Sequence, residues 1–302
     1  MLSRDFEVLS RRYQELLIAS REWKTGFEQV HYLAATGFTL QFPLILAATS
    51  PDDNDATFRA KARMISGYLD RLVVHRMVNY RNFGYSQMTY AMFLLIKEVR
   101  DLDLDQLRDL LLGKIEDDEE SFDAVTAFRL HGRNGSHVKY LLARITSWID
   151  RECSTGQPFP VYMDRSTKNP YEIEHIWANF RARYPEYTND ADFDGARNRF
   201  GGLLLLPKDF NASYGPMPYD QKVVHYAGQN LLARSLHPNC YDHNPSFKGL
   251  MARHALPCQA YPDAFSSTAM LERQELYRQL CELVCAPAEF GVAEPSTAEE
   301  VP

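Results

Sequence analysis

Apolar residues recur at helical spacing through the first half of the chain. Ile65, Leu69, Leu72, Val73 and Met77 fall at i, i+4, i+7, i+8 and i+12, one stripe of a single helix. Tyr85, Met88, Met92, Leu95, Ile96 and Val99 restart the pattern after a break at Asn82-Phe83-Gly84. A third stripe, Val138, Leu141, Leu142, Ile145, Trp148 and Ile149, follows Asn134-Gly135-Ser136, where Ser136 is a candidate cap. This period predicts helices throughout residues 1–155. The pattern changes near Gly156. Gln157-Pro158-Phe159-Pro160 breaks it, and Val161-Tyr162-Met163 reads as a short strand. Tyr171 to Ile176 alternates apolar and polar, the period of a half-buried strand. Gly201 to Pro207 is an apolar run opened by glycines and stopped by proline, which predicts a second strand. A helix is expected from near Pro218 past Leu232, and a last long one from about Thr268 to Val284. The chain shows no internal repeat.

Composition adds little to this picture. A chain of 302 residues, 45% hydrophobic and 24% charged, suits two globular domains of roughly 150 residues each. It excludes disordered, collagenous and coiled-coil classes. The longest apolar run, Phe42 to Ala48, is far below the roughly 20 residues that span a bilayer. Residues Met1 to Glu7 lack the apolar core of a secretory signal, so a cytoplasmic protein without a membrane partner is expected. Net charge is −7, of which residues 261–302 supply −6 (two basic, eight acidic), so charge neither favours nor opposes nucleic acid. The division expected is 1–155 helical, 156–286 α+β, and 287–302 a disordered acidic tail.

Five scattered cysteines, with no Cys-x-x-Cys pair, suit a reduced interior. His237, Cys240 and His243, with His254 and Cys258 beyond, would make a zinc site only at a spacing no common finger uses, so they read as loop residues. The acidic run Glu116 to Glu120 reads as a solvated helix start that suits the helix dipole. Phe180, Tyr184 and Tyr187 interleave with Arg181 and Arg183, a pattern that serves base stacking or core packing equally.

The chemistry gathers elsewhere. Glu174-His175 ends the first strand, Asn198 follows 23 residues after His175, and Asn211 follows 13 after that. Alone, a histidine after a strand is commonly structural, and an asparagine in a turn serves its backbone. In this order, on a strand–loop–strand–helix unit, they supply what metal-assisted phosphodiester hydrolysis needs. An imidazole takes a proton from the attacking water. A hard cation on carboxylate and amide oxygens steadies the scissile phosphate and the leaving oxygen.

At these residues the sequence resembles a known family. Glu172-Ile173-Glu174-His175-Ile176, then Asn198 through Leu206, then Asn211 look like the C-terminal HNH (His-Me finger) nuclease domain of GmrSD-type restriction endonucleases. Tyr219 to Tyr226 and Asn244-Pro245-Ser246-Phe247 resemble the tail of that domain, so the likeness covers about residues 160–285. Tyr68 to Val74 looks more loosely like the helical region that precedes it. The resemblance implies a mostly α chain, a helical N-terminal domain followed by an α+β ββα-metal (HNH) finger. It implies His175 as general base and Asn211 as a ligand of Mg²⁺ or Mn²⁺. Glu174 would help hold that metal through its main chain or carboxylate. Asn198 would fix the loop that presents His175, or approach the metal itself. Lys222, Arg197 and Arg199 would meet DNA backbone phosphates. Ala178 and Gly202 stand where the family usually has proline and asparagine, and Gly202 removes an amide that would brace the finger.

Full-length members carry an N-terminal ParB-like nucleotide-sensing domain, whereas this chain begins in the helical region and has no Gly-rich phosphate cradle. The chain is therefore expected to be a fragment, one subunit of a split system completed by such a nucleotide-sensing ParB-like domain or subunit, or a self-sufficient small relative. The function expected is a metal-dependent DNA endonuclease in defence against foreign or modified DNA. The alternative is a catalytically weak binding or scaffold subunit of a split restriction system.

Overall fold

A computed structural model describes residues 2–242 and 244–293. These residues are mostly helical and fall into two compact units: residues 2–121 with 285–293, and Phe122–Val284. The division differs from the one at residue 155 that the periodicity suggests.

The first unit contains α1 (Leu2–Arg21), α2 (Glu28–Ala35), α3 (Gln41–Ala48), α4 (Asp55–Val78), α5 (Tyr85–Val99) and α6 (Leu104–Glu116). Helix α4 is its centre, packed on α2, α3 and α6. Ile65, Leu69 and Val73 of the apolar stripe are fully buried there, with Phe58 at its start. Asn54 caps α4 by accepting from the Thr57 amide, and Asp103 with Gln106 forms a capping box on α6. The acidic run lies at the exit of α6, not at a helix entry, so it opposes the dipole. Its charge is met by side chains instead: Asp118 bonds His75 Nδ1 at 2.8 Å and Glu120 pairs with Arg81 at 3.0 Å. The expectation of disorder from residue 287 does not hold for the first residues of that segment. Pro287–Phe290 forms a 3₁₀ turn on α4, with Phe290 and Val292 buried. The rest of that tail, 294–302, lies outside the described residues.

The second unit is built around α7 (Gly135–Glu152), in which every residue from Val138 to Asp150 is buried. A helix covered on all sides is the core of its own unit, which is why the boundary falls before it. Asn134, not Ser136, sits at its N-cap position, and no side chain caps it. Next comes α8 (Phe159–Met163), where a strand was expected. Pro160 lies in its first turn and fixes a helical φ, and the Val161 amide bonds back to Pro158 O. Then follow β1 (Tyr171–His175), α9 (Asp190–Arg197), β2 (Leu203–Pro207), α10 (Lys208–Tyr214), α11 (Tyr219–Tyr226), α12 (Leu231–Arg234), α13 (Asn239–Asp242), α14 (Pro245–His254) and α15 (Ser267–Val284). The single helix expected across 218–232 is thus two, separated at 227–230, where Asn230 caps the second. A lone two-stranded hairpin is marginal in water. Here Leu203 to Leu206 are buried to within 1%, and β2 is covered by α7, α10 and α12. Among the described residues no helix is long and apolar enough to cross a membrane.

Candidate functional site

β1 and β2 pair antiparallel, Tyr171 opposite Pro207 and His175 opposite Leu203, and α10 follows β2 directly. The start of α10 is tied to the strand entry. Lys208 N bonds Pro170 O at 2.9 Å, and Asp209 N bonds the Asn169 side chain at 2.9 Å. The last residue of β1 is His175, where the chain leaves for the long connection through residues 176–202.

That connection is pinned rather than loose. Asn189 caps α9, and the chain after it bonds the segment before α7 through Leu130 N to Asn198 O and Phe200 N to Phe128 O. Its aromatic residues face inward. Tyr184 stacks on Trp177 at 4.3 Å, Tyr187 and Phe193 pack on the same indole, and Trp177 Nε1 donates to Phe265 O. Of the aromatic residues in the expected stacking set only Phe180 is exposed, beneath the Arg183 guanidinium. At Gly201 a Cβ would lie 2.4 Å from Gln274 N and 2.5 Å from Met270 O of α15, so only glycine fits. The Gly201 amide donates to Gln274 Oε1 at 2.6 Å. A side chain at Gly202 would meet the thioether of Met270 from 3.0 Å. The position that lacks the family's asparagine is therefore filled by α15.

These supports place Asn198 Oδ1 2.8 Å from His175 Nε2. Accepting there fixes the hydrogen on Nε2 and leaves Nδ1 with its lone pair. Among the described residues nothing hydrogen-bonds Nδ1. Burial, aided by the Arg197 charge, pushes His175 down to about 4, against the smaller effect of the Asn198 bond. The ring is neutral at physiological pH, as a proton acceptor must be. Asn211, on α10, donates from Nδ2 to Ile173 O at 2.9 Å, which turns its Oδ1 away from that bond.

Glu174 points to the opposite side of β1 and is 2% exposed. Its Oε1 accepts from Lys222 Nζ at 2.6 Å and from Tyr226 OH at 3.3 Å, and Lys222 Nζ also donates to His175 O at 2.9 Å. Burial pushes Glu174 up and Lys222 down, and each charge offsets the other's shift. The expected phosphate contact at Lys222 is therefore corrected. Its side chain is 1% exposed and clamps the end of β1 from inside. The signal was present in the sequence: Tyr219, Lys222, Val223 and Tyr226 share one helical face, and a lysine on an apolar face needs a buried partner. Arg197 is half-buried with Nε on Trp177 O at 3.1 Å, and Arg199 is held by a main-chain bridge to Arg129. Arg197 is thus engaged by the protein itself, whereas only the main chain of Arg199 is held.

Donors for a cation are oxygen atoms. Glu174 Oε2 and Asn211 Oδ1 take no hydrogen bond from the described residues. Among the described residues no group of three or more His, Cys, Asp or Glu could hold a metal. Two hard oxygens fit Mg²⁺ in kind, since that ion keeps several waters and uses few protein ligands. In the cysteines of the set weighed for zinc, burial pushes the thiols of Cys240 and Cys258 up to about 11 and about 12. His243 of that set lies outside the described residues. No protein-family model, curated protein or solved structure matches this chain.

Proposed function

We propose that the chain is a divalent-metal-dependent nuclease that hydrolyses phosphodiester bonds of DNA, with His175 as general base. The observation that carries this reading is the His175–Asn198 pair at the strand end, a neutral imidazole with its tautomer fixed and Nδ1 unengaged. In the reaction Nδ1 takes a proton from water, and the oxygen attacks phosphorus. The P–O3′ bond breaks and the leaving oxygen is protonated from solvent. Asn198 holds the ring's orientation and stabilises the imidazolium that forms, since Nε2–H stays bonded to its carbonyl. Lys222 fixes the main chain on which His175 stands. A bound cation would supply Lewis-acid stabilisation of the phosphate and leaving oxygen, with Asn211 Oδ1 as a candidate ligand. The Glu174 carboxylate lies on the other side of β1 with its charge met by Lys222.

The resemblance to GmrSD-type HNH domains supports DNA as substrate and a role in defence against foreign or modified DNA, with a nucleotide-sensing partner. A second reading, a catalytically weak binding or scaffold subunit, is favoured by one observation. Lys222 neutralises the carboxylate that the metal would use. Cleavage of supercoiled plasmid with Mg²⁺, with Mn²⁺ and with chelator separates the two. Nicking that needs metal supports the enzyme, and retention of DNA without any cleavage supports the scaffold.

A further inference from the structure

Alongside β1, at the end away from His175, lies a cleft of about 500 Å³. Its wall includes Gly135 at the start of α7, Lys139 one turn further on, Arg165, Lys208 at the start of α10, and Glu172. Three bases thus face one acid. Arg165 and Lys208 are exposed at the cleft, but Lys139 is 5% exposed. Its ammonium makes neither a hydrogen bond nor an ion pair with the described residues. Burial, aided by the Arg165 charge, pushes Lys139 below its ordinary value, and the nearby charges of Glu172 and Asp164 offset part of that. Its stem is buried along α7 while the ammonium itself opens on the cleft, where it meets no protein partner among the described residues. The 18-residue helix α7 opens beside it without a side-chain cap, so its partial positive end faces the same space.

We infer that this cleft binds a phosphate group, held between Lys139, the mouth residues Arg165 and Lys208, and the opening turn of α7, and that the phosphate belongs to the nucleic-acid strand presented to His175. The second clause rests on the nuclease reading. Tyr171, Glu172 and Ile173 all line the cleft, so it follows the edge of β1, and Tyr171 and Ile173 share the face that carries His175. The cleft therefore ends two strand residues, about 7 Å, from the base, close enough for one strand to occupy both. Phosphate contacts of this kind set register rather than sequence preference.

The test uses the full chain carrying His175→Ala, so that no cleavage disturbs binding. Fluorescence anisotropy with a labelled DNA oligonucleotide is compared with and without Lys139→Met. Arg165→Ala, an exposed site with no packing role, is a second variant, and Lys248→Met, exposed on α14, is the control. Inorganic phosphate and a nucleoside monophosphate serve as competitors. Loss of one charged contact weakens oligonucleotide binding on the order of tenfold and lowers the slope of log affinity against log salt by about one. Both changes are expected for Lys139→Met, the slope change also for Arg165→Ala, and neither for Lys248→Met. Phosphate competition that Lys139→Met abolishes, with oligonucleotide binding unchanged, upholds the phosphate site and overturns its assignment to the strand. Unchanged affinity, slope and competition in both cleft variants overturn the inference. If the unaltered chain cuts nothing yet the oligonucleotide effects appear, the cleft stands while the nuclease reading falls.

Discussion

Lys222 and Lys139 lie in the same unit, are 1% and 5% exposed, and differ in what meets their charge. Lys222 is surrounded: Glu174, the His175 carbonyl and, through Glu174, Tyr226 complete its coordination. Lys139 has no such partner and lines a cleft. A buried ion pair with its hydrogen bonds complete is structural and fixes geometry. A cation that opens on a cleft without a protein partner is what the proposed phosphate would meet. One end of β1 is thus closed by the protein's own charges, and the other is open to a ligand's.

Breaking the closed end has the largest effect on stability. Lys222→Met leaves Glu174 buried without its counter-charge, which costs about 3–5 kcal/mol, read by urea unfolding. Glu174→Leu combined with Lys222→Met removes both charges and recovers most of that loss. A Lys222→Met protein as stable as the unaltered one would mean that the pair does not hold the strand. The same change at the open end has the opposite sign. Lys139→Met keeps the buried stem and removes a charge that no described residue pairs, so its melting temperature in phosphate-free buffer stays level or rises, while oligonucleotide affinity falls. A clear drop in melting temperature would mean that Lys139 is paired in solution.

A third effect concerns pH. His175 is pushed below its ordinary value to about 4. Its neutral, base-competent form therefore persists as pH falls through 6.5 and is lost only as pH passes through about 4. Cleavage rates measured from pH 8 downward should hold until near pH 5 in a chain that stays folded. A midpoint near the ordinary histidine value would show that the ring is more solvated than its burial indicates. The smallest effect belongs to Tyr226→Phe. It removes one hydrogen bond of 3.3 Å from Glu174 and should cost about 1 kcal/mol.

Much of this arrangement was readable before the structure. Local signals placed α4, α5, α7 and α15, and alternation placed β1, because a period of 3.6 or 2 records which face is buried. Of the order Glu174-His175, Asn198, Asn211, the structure brings His175 and Asn198 into contact, ties Asn211 to the Ile173 main chain and turns Glu174 to the other side of β1. The misreadings came from context. Val161 to Met163 looked extended, but prolines at 158 and 160 with no partner strand made a helical turn. The acidic run was assigned to a helix entry because composition does not show direction. Lys222 and Lys139 were the harder cases. A lysine reads as surface unless the apolar residues three and four positions away are weighed with it. Whether its buried ammonium meets a carboxylate depends on an element dozens of residues distant, which no local pattern records.

The central claim is that His175 takes a proton from water at a phosphodiester. The direct measurement incubates supercoiled plasmid, unmodified and phage-modified, with the purified chain and its His175→Ala variant, in Mg²⁺, in Mn²⁺ and in chelator. The account predicts nicking that requires metal and falls about 10²–10⁴-fold in the variant, while the variant still binds DNA and melts at the same temperature. Cleavage that persists in pure His175→Ala protein would contradict it.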